Sequence, residues 1–281
     1  MGILHFGGHM NYKIISSDLD GTLLDNEMKV SEENRLAVKQ YTDMGGVFVP
    51  NSGRSFGEMS SEVKNLPGVR YVISSDGADI YDKQTGEHIS LCMTREESAR
   101  VFDILSEYKT FHTVHYHGAS YLDADRFDRA TMDYHNVDRY FREHFEATNV
   151  PTERYDAFCR GMDEVEMICA FFHSREELDA CRIRLEASGL TVSASASYNV
   201  EIFSSRAGKG NALLHLAEHL GVAREETIAM GDSDNDASMI RAAGLGLAME
   251  NANESVKEIA DAVACRNEEH IVPYLLKHYI R

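Results

Sequence analysis

The chain has 281 residues, 43% of them hydrophobic, and a formal net charge of −18. The length suits one large domain or two ordinary ones, and the apolar share can fill a sizeable core. The acidity excludes sequence-independent binding to nucleic acid, and no run of 18 apolar residues exists to cross a bilayer.

Residues 1–10, "MGILHFGGHM", lack a charged n-region, are too short for a signal peptide and read as an expression leader. Lys13 to Ser16 is then a short apolar strand. Ser31 can cap a helix bearing Leu36, Tyr41 and Met44 on one face, stopped by Gly45-Gly46. Val47 to Val49 is the next strand, ended by Pro50. A helix is expected after Asn51-Ser52-Gly53-Arg54, running to Pro67-Gly68, followed by a strand over Val69 to Ile73. Alternating strands and helices predict a parallel sheet with helices on both faces.

The middle of the chain differs. Thr94-Arg95-Glu96-Glu97 and Ser174-Arg175-Glu176-Glu177 both fit a capping box and open amphipathic helices. Each helix leads to a strand, Thr113 to Tyr116 and Leu190 to Val192. Residues 83–195 are therefore expected to form a separate α+β domain inserted into a core made of 11–82 and 196–281. Within that insert, His115 and His117 share a predicted strand face, part of which would line a substrate cleft. Arg126, Arg129, Arg139 and Arg142 read as a solvated helical face, with one or two reaching a second anionic group. The end of the chain returns to the first pattern. Val200 to Phe203 is a strand and Lys209 to Leu220 a helix. Thr227 to Met230, Leu245 to Met249 and Ala262 to Ala264 are strands, and the Tyr274-Leu275-Leu276 stripe is core.

Cys92, Cys159, Cys169, Cys181 and Cys265 form no CxxC pair and are odd in number. They read as reduced core thiols of a cytoplasmic protein.

In an open parallel sheet, ligands bind beyond the carboxyl ends of the strands. Asp18, Asp20, Ser52 and Asp232 each follow a predicted strand, and Lys209 opens a helix. "GDSDND" (231–236) adds Asp234 and Asp236. Five carboxylates cannot all ionise at one place without a cation, and oxygen-only ligands select a hard ion such as Mg2+. An EF-hand is excluded: counted from Asp18 or Asp232, loop positions 6 and 12 carry Leu23 and Lys29, or Ala237 and Ala243. Ser52 also suits a helix cap, Asp234 an exposed turn, and Arg54 a surface ion pair.

"DLDGTLL", the Ser of "NSGR", the Lys of "AGKG" and "GDSDND" resemble, in order, the four motifs of the haloacid dehalogenase-like (HAD) superfamily. The tail "AAGLGLAMENANESVKEIADAV" and the long insert are similar to the Cof-type phosphatases with a C2B cap. The resemblance runs from about residue 11 to the end. It implies a Rossmann-like core with an inserted cap, and a Mg2+-dependent phosphatase acting on a small phosphorylated metabolite such as a sugar, nucleotide or cofactor phosphate. A phosphotransferase such as a hexose phosphomutase is the alternative. Asp18 would be the nucleophile and Asp20 the general acid and base. Asp18, the Asp20 carbonyl and Asp232 would hold the metal, with Asp236 supporting from behind. Ser52, Gly53, Lys209, Asn235 and the backbone of the Asp20-Gly21 turn would bind phosphate. A small-molecule partner, no nucleic acid or membrane, and a monomer or homodimer are expected. Two departures stand out: Asn51-Ser52 replaces Ala-Thr in the second motif, and Glu250 sits where the family has glycine. The glutamate would either tune substrate choice or face solvent.

Overall fold

The computed structural model describes residues 10–281. Residues 1–9 of the expected leader lie outside the described residues. Met10, its last residue, is buried.

Among the described residues the chain forms two compact units: residues 10–53, 59–89 and 209–281, and residues 54–58 with 90–208. The first is built on a five-stranded parallel sheet. Its spatial order is Ala262–Val263, Leu245–Ala248, Thr227–Gly231, Ile14–Ser17 and Val47–Pro50. Every residue of the three central and first-edge strands Ile14–Ser17, Val47–Pro50 and Thr227–Gly231 is buried, as expected for a sheet covered on both faces. Ser17 is in register with Met230 on one side and Pro50 on the other. The residues just beyond, Asp18, Asn51 and Asp232, therefore emerge together at one edge.

The helix Glu32–Asp43 starts as expected, with the Ser31 hydroxyl accepting the Asn34 N–H at 3.2 Å. Its buried face is Asn34, Ala37, Val38 and Tyr41, whereas the expected Leu36 and Met44 are exposed. The strand expected at Val69 to Ile73 is Tyr71–Ser74. It joins a small antiparallel sheet with Asp79–Asp82 and His88–Ser90, and reaches the parallel sheet through a bridge between Asn51 and Ile73. At the far end of the chain, Leu275 of the expected stripe is buried together with Ile271 and Val272, whereas Tyr274 and Leu276 are only half-buried.

The second unit carries a six-stranded sheet. Its order is Thr191–Ser193, Asn199–Phe203, Val165–Phe172, Thr110–Tyr116, Ala119–Asp123 and Val150–Thr152. On one face the helices Arg95–Leu105 and Arg175–Ala187 bury Val101, Phe102, Leu178, Cys181 and Leu185 against Val114, Ile168 and Val200. On the other, Met132, Val137 and Phe145 pack on Phe111, Cys169 and Phe171. The Thr94 capping box forms with both of its bonds, Glu97 N–H to Thr94 Oγ1 at 3.2 Å and Thr94 N–H to Glu97 Oε2 at 2.8 Å. All five cysteines are free, and Cys159, Cys169 and Cys181 are buried.

The unit boundaries fall at 89/90 and 208/209, against 82/83 and 195/196 expected. Residues 83–89 stay with the first unit because the strand at His88 extends its antiparallel sheet. Asn199–Phe203 is not a strand of the parallel sheet. It pairs antiparallel with Val165–Phe172 and with Thr191–Ser193. A short run such as Val-Glu-Ile-Phe reads as a strand in either setting, so periodicity could not choose.

The long helix expected after Arg54 is also absent. Only Ser61–Lys64 is helical. The amides that a helix would use internally go elsewhere: Gly57 N–H donates to Gly118 O at 2.6 Å and Ser55 N–H to Glu58 Oε2 at 2.7 Å. Glu58 is buried between two imidazoles, His115 Nε2 at 3.3 Å and His144 Nε2 at 3.2 Å. Burial would raise its carboxyl, but His115 and His144 outweigh it and hold the group down at about 2. His117 does not share a sheet face with His115. It occupies the turn after Tyr116 with φ 48° and is exposed.

Candidate active site

The first strand ends in a wide turn over Leu19–Leu23, closed by the Leu24 N–H on the Leu19 carbonyl at 2.9 Å. The turn keeps Asp18 buried at the strand end while its backbone bends away at Asp20 and Gly21. Two conditions force glycine at position 21. Its φ is +73°, and a Cβ there would stand 2.5 Å from Asp232 Oδ2. Gly21→Ala is expected to cost about 1–3 kcal/mol through backbone strain and displacement of Asp232. Urea unfolding would read the loss, and titration with a divalent cation should show weaker binding. A change below about 0.5 kcal/mol, with unaltered metal affinity, would contradict this account.

Lys209 opens the helix Lys209–Leu220 and is 1% exposed. Its Nζ donates to Asp18 Oδ1 at 2.7 Å and to Asp236 Oδ1 at 2.6 Å. Burial alone would discharge the ammonium, but Asp18 and Asp236 keep it charged and raise it well above its ordinary value. The other oxygen of Asp236 accepts the backbone N–H groups of Asp232 at 3.0 Å and Ser233 at 3.1 Å. Both Asp236 oxygens are therefore engaged within the protein. Lys209 takes Asp18 Oδ1, while no hydrogen bond from the described residues takes Oδ2.

Carboxylate oxygens of Asp18, Asp232 and Asp236 lie within 4.8 Å of one another. Burial, then Asp236 nearby, raises Asp18 well above the usual carboxylate range, and Lys209 offsets only part of this. The same causes push Asp232 up to about 7. One ammonium does not balance three carboxylates, so the set suits a divalent cation with oxygen ligands. Because Asp236 is occupied by Lys209 and by amides, Asp18 and Asp232 are the side chains left to hold one. Thr22 Oγ1 touches Asp232 Oδ1 at 3.5 Å.

Ser52 and Gly53 follow the strand Val47–Pro50. The Ser52 N–H donates to Ile73 O and its carbonyl accepts the Asp76 N–H, both at 3.1 Å, which fixes the loop that carries its hydroxyl. Asn51 ties this loop to the others. Its Nδ2 donates to Ser16 Oγ at 3.1 Å and to Lys209 O at 3.0 Å. Asn235 Oδ1 accepts from Ser233 Oγ at 2.8 Å and its Nδ2 meets Asp76 Oδ1 at 3.5 Å. Asp234 is exposed and accepts from Ser255 Oγ at 2.6 Å, outside the cluster. Glu250 is exposed as well.

Two residues of this edge escaped sequence reasoning. Asp76 is buried in a left-handed conformation, φ 51°, and a Cβ on Gly53 would lie 3.3 Å from its Oδ1. The signal was an Asp-Gly pair one residue beyond a strand. Asn251 Nδ2 donates to the Gly21 carbonyl at 2.8 Å, bracing the turn from the opposite side. Nothing in its spacing marked it.

Residues 15–276 match the haloacid dehalogenase-like hydrolase family profile. The chain is 34% identical to the phosphatase YwpJ of Bacillus subtilis (strain 168) over 289 aligned positions, spanning 95% of this chain and 100% of that protein. It is 28% identical over 271 positions to the 5-amino-6-(5-phospho-D-ribitylamino)uracil phosphatase YcsE of the same organism, spanning 96% and 97%. A solved haloacid dehalogenase-like hydrolase from B. subtilis shares its fold with a TM-score of 0.78 at 33% identity, over 95% of this chain and 99% of that one.

Proposed function

The chain belongs to the haloacid dehalogenase-like hydrolases, as a phosphatase of small phosphorylated substrates, and from that premise we propose that it works through an aspartyl-phosphate on Asp18 with Mg2+. The observation that carries this reading is the Lys209 bridge. It holds Asp18 by one oxygen at the sheet edge and leaves the other to attack phosphorus. As the new O–P bond forms, the ester P–O bond breaks and the leaving oxygen takes a proton from Asp20. Asp20 then removes a proton from water, which attacks the same phosphorus, releases inorganic phosphate and restores Asp18.

Asp18 and Asp232, with the Asp20 carbonyl, would hold the Mg2+, and Asp236 would fix Lys209 and the Asp232 backbone from behind. When bound, the ion supplies positive charge against the phosphoryl oxygens. Ser52, Gly53, Asn235 and the amides of the Asp20-Gly21 turn would bind those oxygens. Lys209 and the cation together answer the difficulty that a protein of net charge −18 poses for an anionic substrate. The substrate class we propose is a sugar phosphate or a nucleotide or cofactor phosphate. The relative YcsE, named for a phosphorylated ribitylaminouracil, falls within that range. A screen of such esters, read as phosphate release with Mg2+ and with EDTA, tests the proposal. Release that needs no second acceptor and stops in EDTA is expected. Equal release in EDTA, or transfer only to an acceptor sugar, would overturn it.

Asp20→Asn should keep the backbone ligand and lose the proton. The expected fall in turnover is about 10²–10⁴-fold, the usual worth of a general acid. Because p-nitrophenolate leaves with little protonation, its ester should lose less than an alkyl phosphate does in the phosphorylation step. Equal losses, with that step limiting, would remove Asp20 from the role.

A further inference from the structure

The second unit contains a cavity of about 610 Å³ that the hydrolytic reading does not use. It lies beside Thr110–His112, the end of its strand remote from the turn at His117-Gly118. Its walls come from residues 102–160, and none belongs to the set around Asp18. The volume is that of a small-molecule site.

Its lining is cationic although the chain is acidic. In a chain of net charge −18, three cations, Lys109, Arg126 and Arg160, line it against one carboxylate, Asp156. Arg160 is engaged by Asp103 at 3.0 Å. Lys109 and Arg126 make no ion pair with any described residue. By contrast, Arg139 and Arg142 of the same Arg-rich stretch are paired with Glu143 and Asp133. Arg126 is thus the arginine of that stretch that remains for a second anion.

His112 adds a specific polar point. Its Nδ1 is sealed from water with no hydrogen-bond partner, a state that buried polar atoms rarely keep. Burial and the neighbouring Arg126 push its imidazole down to about 4, so near pH 7 it is a neutral donor or acceptor, not a charge. Aromatic walls complete the site. Tyr134 is already stacked on His173 at 4.1 Å, and Tyr108 also lines the space.

We propose that this cavity binds a small planar ring bearing a phosphate or carboxylate, with the anion on Lys109 and Arg126, the ring among Tyr108 and Tyr134, and a polar ring atom facing His112. Calorimetric titration of the full-length protein with adenosine 5′-monophosphate, indole-3-carboxylate and inorganic phosphate tests it and separates the two anion types. Metal is omitted to weaken phosphate binding at Asp18. At least one ring-bearing anion should bind more tightly than phosphate. A Lys109→Ala/Arg126→Ala double variant should weaken that binding about tenfold or more, as loss of two charge-assisted contacts predicts. Turnover of p-nitrophenyl phosphate and the melting temperature should be unchanged in the double variant. A His112→Leu variant should weaken the ring-bearing anion without affecting phosphate. Binding that survives the double substitution, or phosphate binding as well as both ring-bearing anions, would overturn the proposal. So would failure of both rings to bind.

Discussion

Asp18→Asn is expected to reduce phosphate release to below about 1% of the wild-type rate while leaving the fold intact. An amide cannot form the acyl phosphate. The stability side follows from charge. Asp18 is buried and shares its surroundings with Asp236, so in the metal-free protein its ionised form is disfavoured. Lys209 keeps Asp236 as a partner when Asp18 loses its charge. Melting without metal should therefore hold or rise, and, on the proposed role, added Mg2+ should stabilise the variant less than the wild type. Residual turnover above a few per cent would remove Asp18 from the nucleophile's place. A variant that melts far lower would show that the Lys209 contact outweighs the repulsion.

Lys209→Met should have the opposite effect on stability. The side chain is similar in length but carries no charge, so Asp18 and Asp236 would face each other unbridged in a dry setting. Breaking a buried ion pair by removing one partner costs about 3–5 kcal/mol. Urea unfolding in EDTA should show a loss in that range, and adding Mg2+ should recover part of it by neutralising Asp18. The deficit should narrow on acidification, because Asp18, raised by burial and by Asp236, can then protonate. A loss below about 1 kcal/mol in EDTA would mean that the ammonium does not hold the two carboxylates together.

The candidate residues were legible because they sit at strand ends. Short apolar runs located the strands, and Asp18, Ser52 and Asp232 followed them directly; register then carried them to one edge. Lys209 was legible because it opens a helix with a regular apolar stripe, observed over Lys209–Leu220 as expected. What could not be read depended on partners distant in sequence. Residues 54–58 carry no helix-breaking residue other than Gly57, and only the carbonyl of Gly118 and the imidazoles of His115 and His144 reveal why they are not helical. Asn199–Phe203 has the composition of a core strand in either sheet. His117 fits strand alternation until its positive φ removes it. Asn251 braces the turn through a side-chain bond to a carbonyl 230 positions earlier, which no local pattern encodes.

The seating of Glu58 between His115 and His144 makes the cap less portable than its place in the chain suggests. A cassette exchange between relatives that moved only residues 90–208 would leave behind a carboxylate whose two imidazole partners had gone. It would also leave the Gly57 amide without the carbonyl of Gly118. The transferable module is therefore discontinuous: the long insert and five residues that follow Ser52-Gly53. Positions 58, 115 and 144 have to be inherited as a set, because Glu58 is buried against both imidazoles.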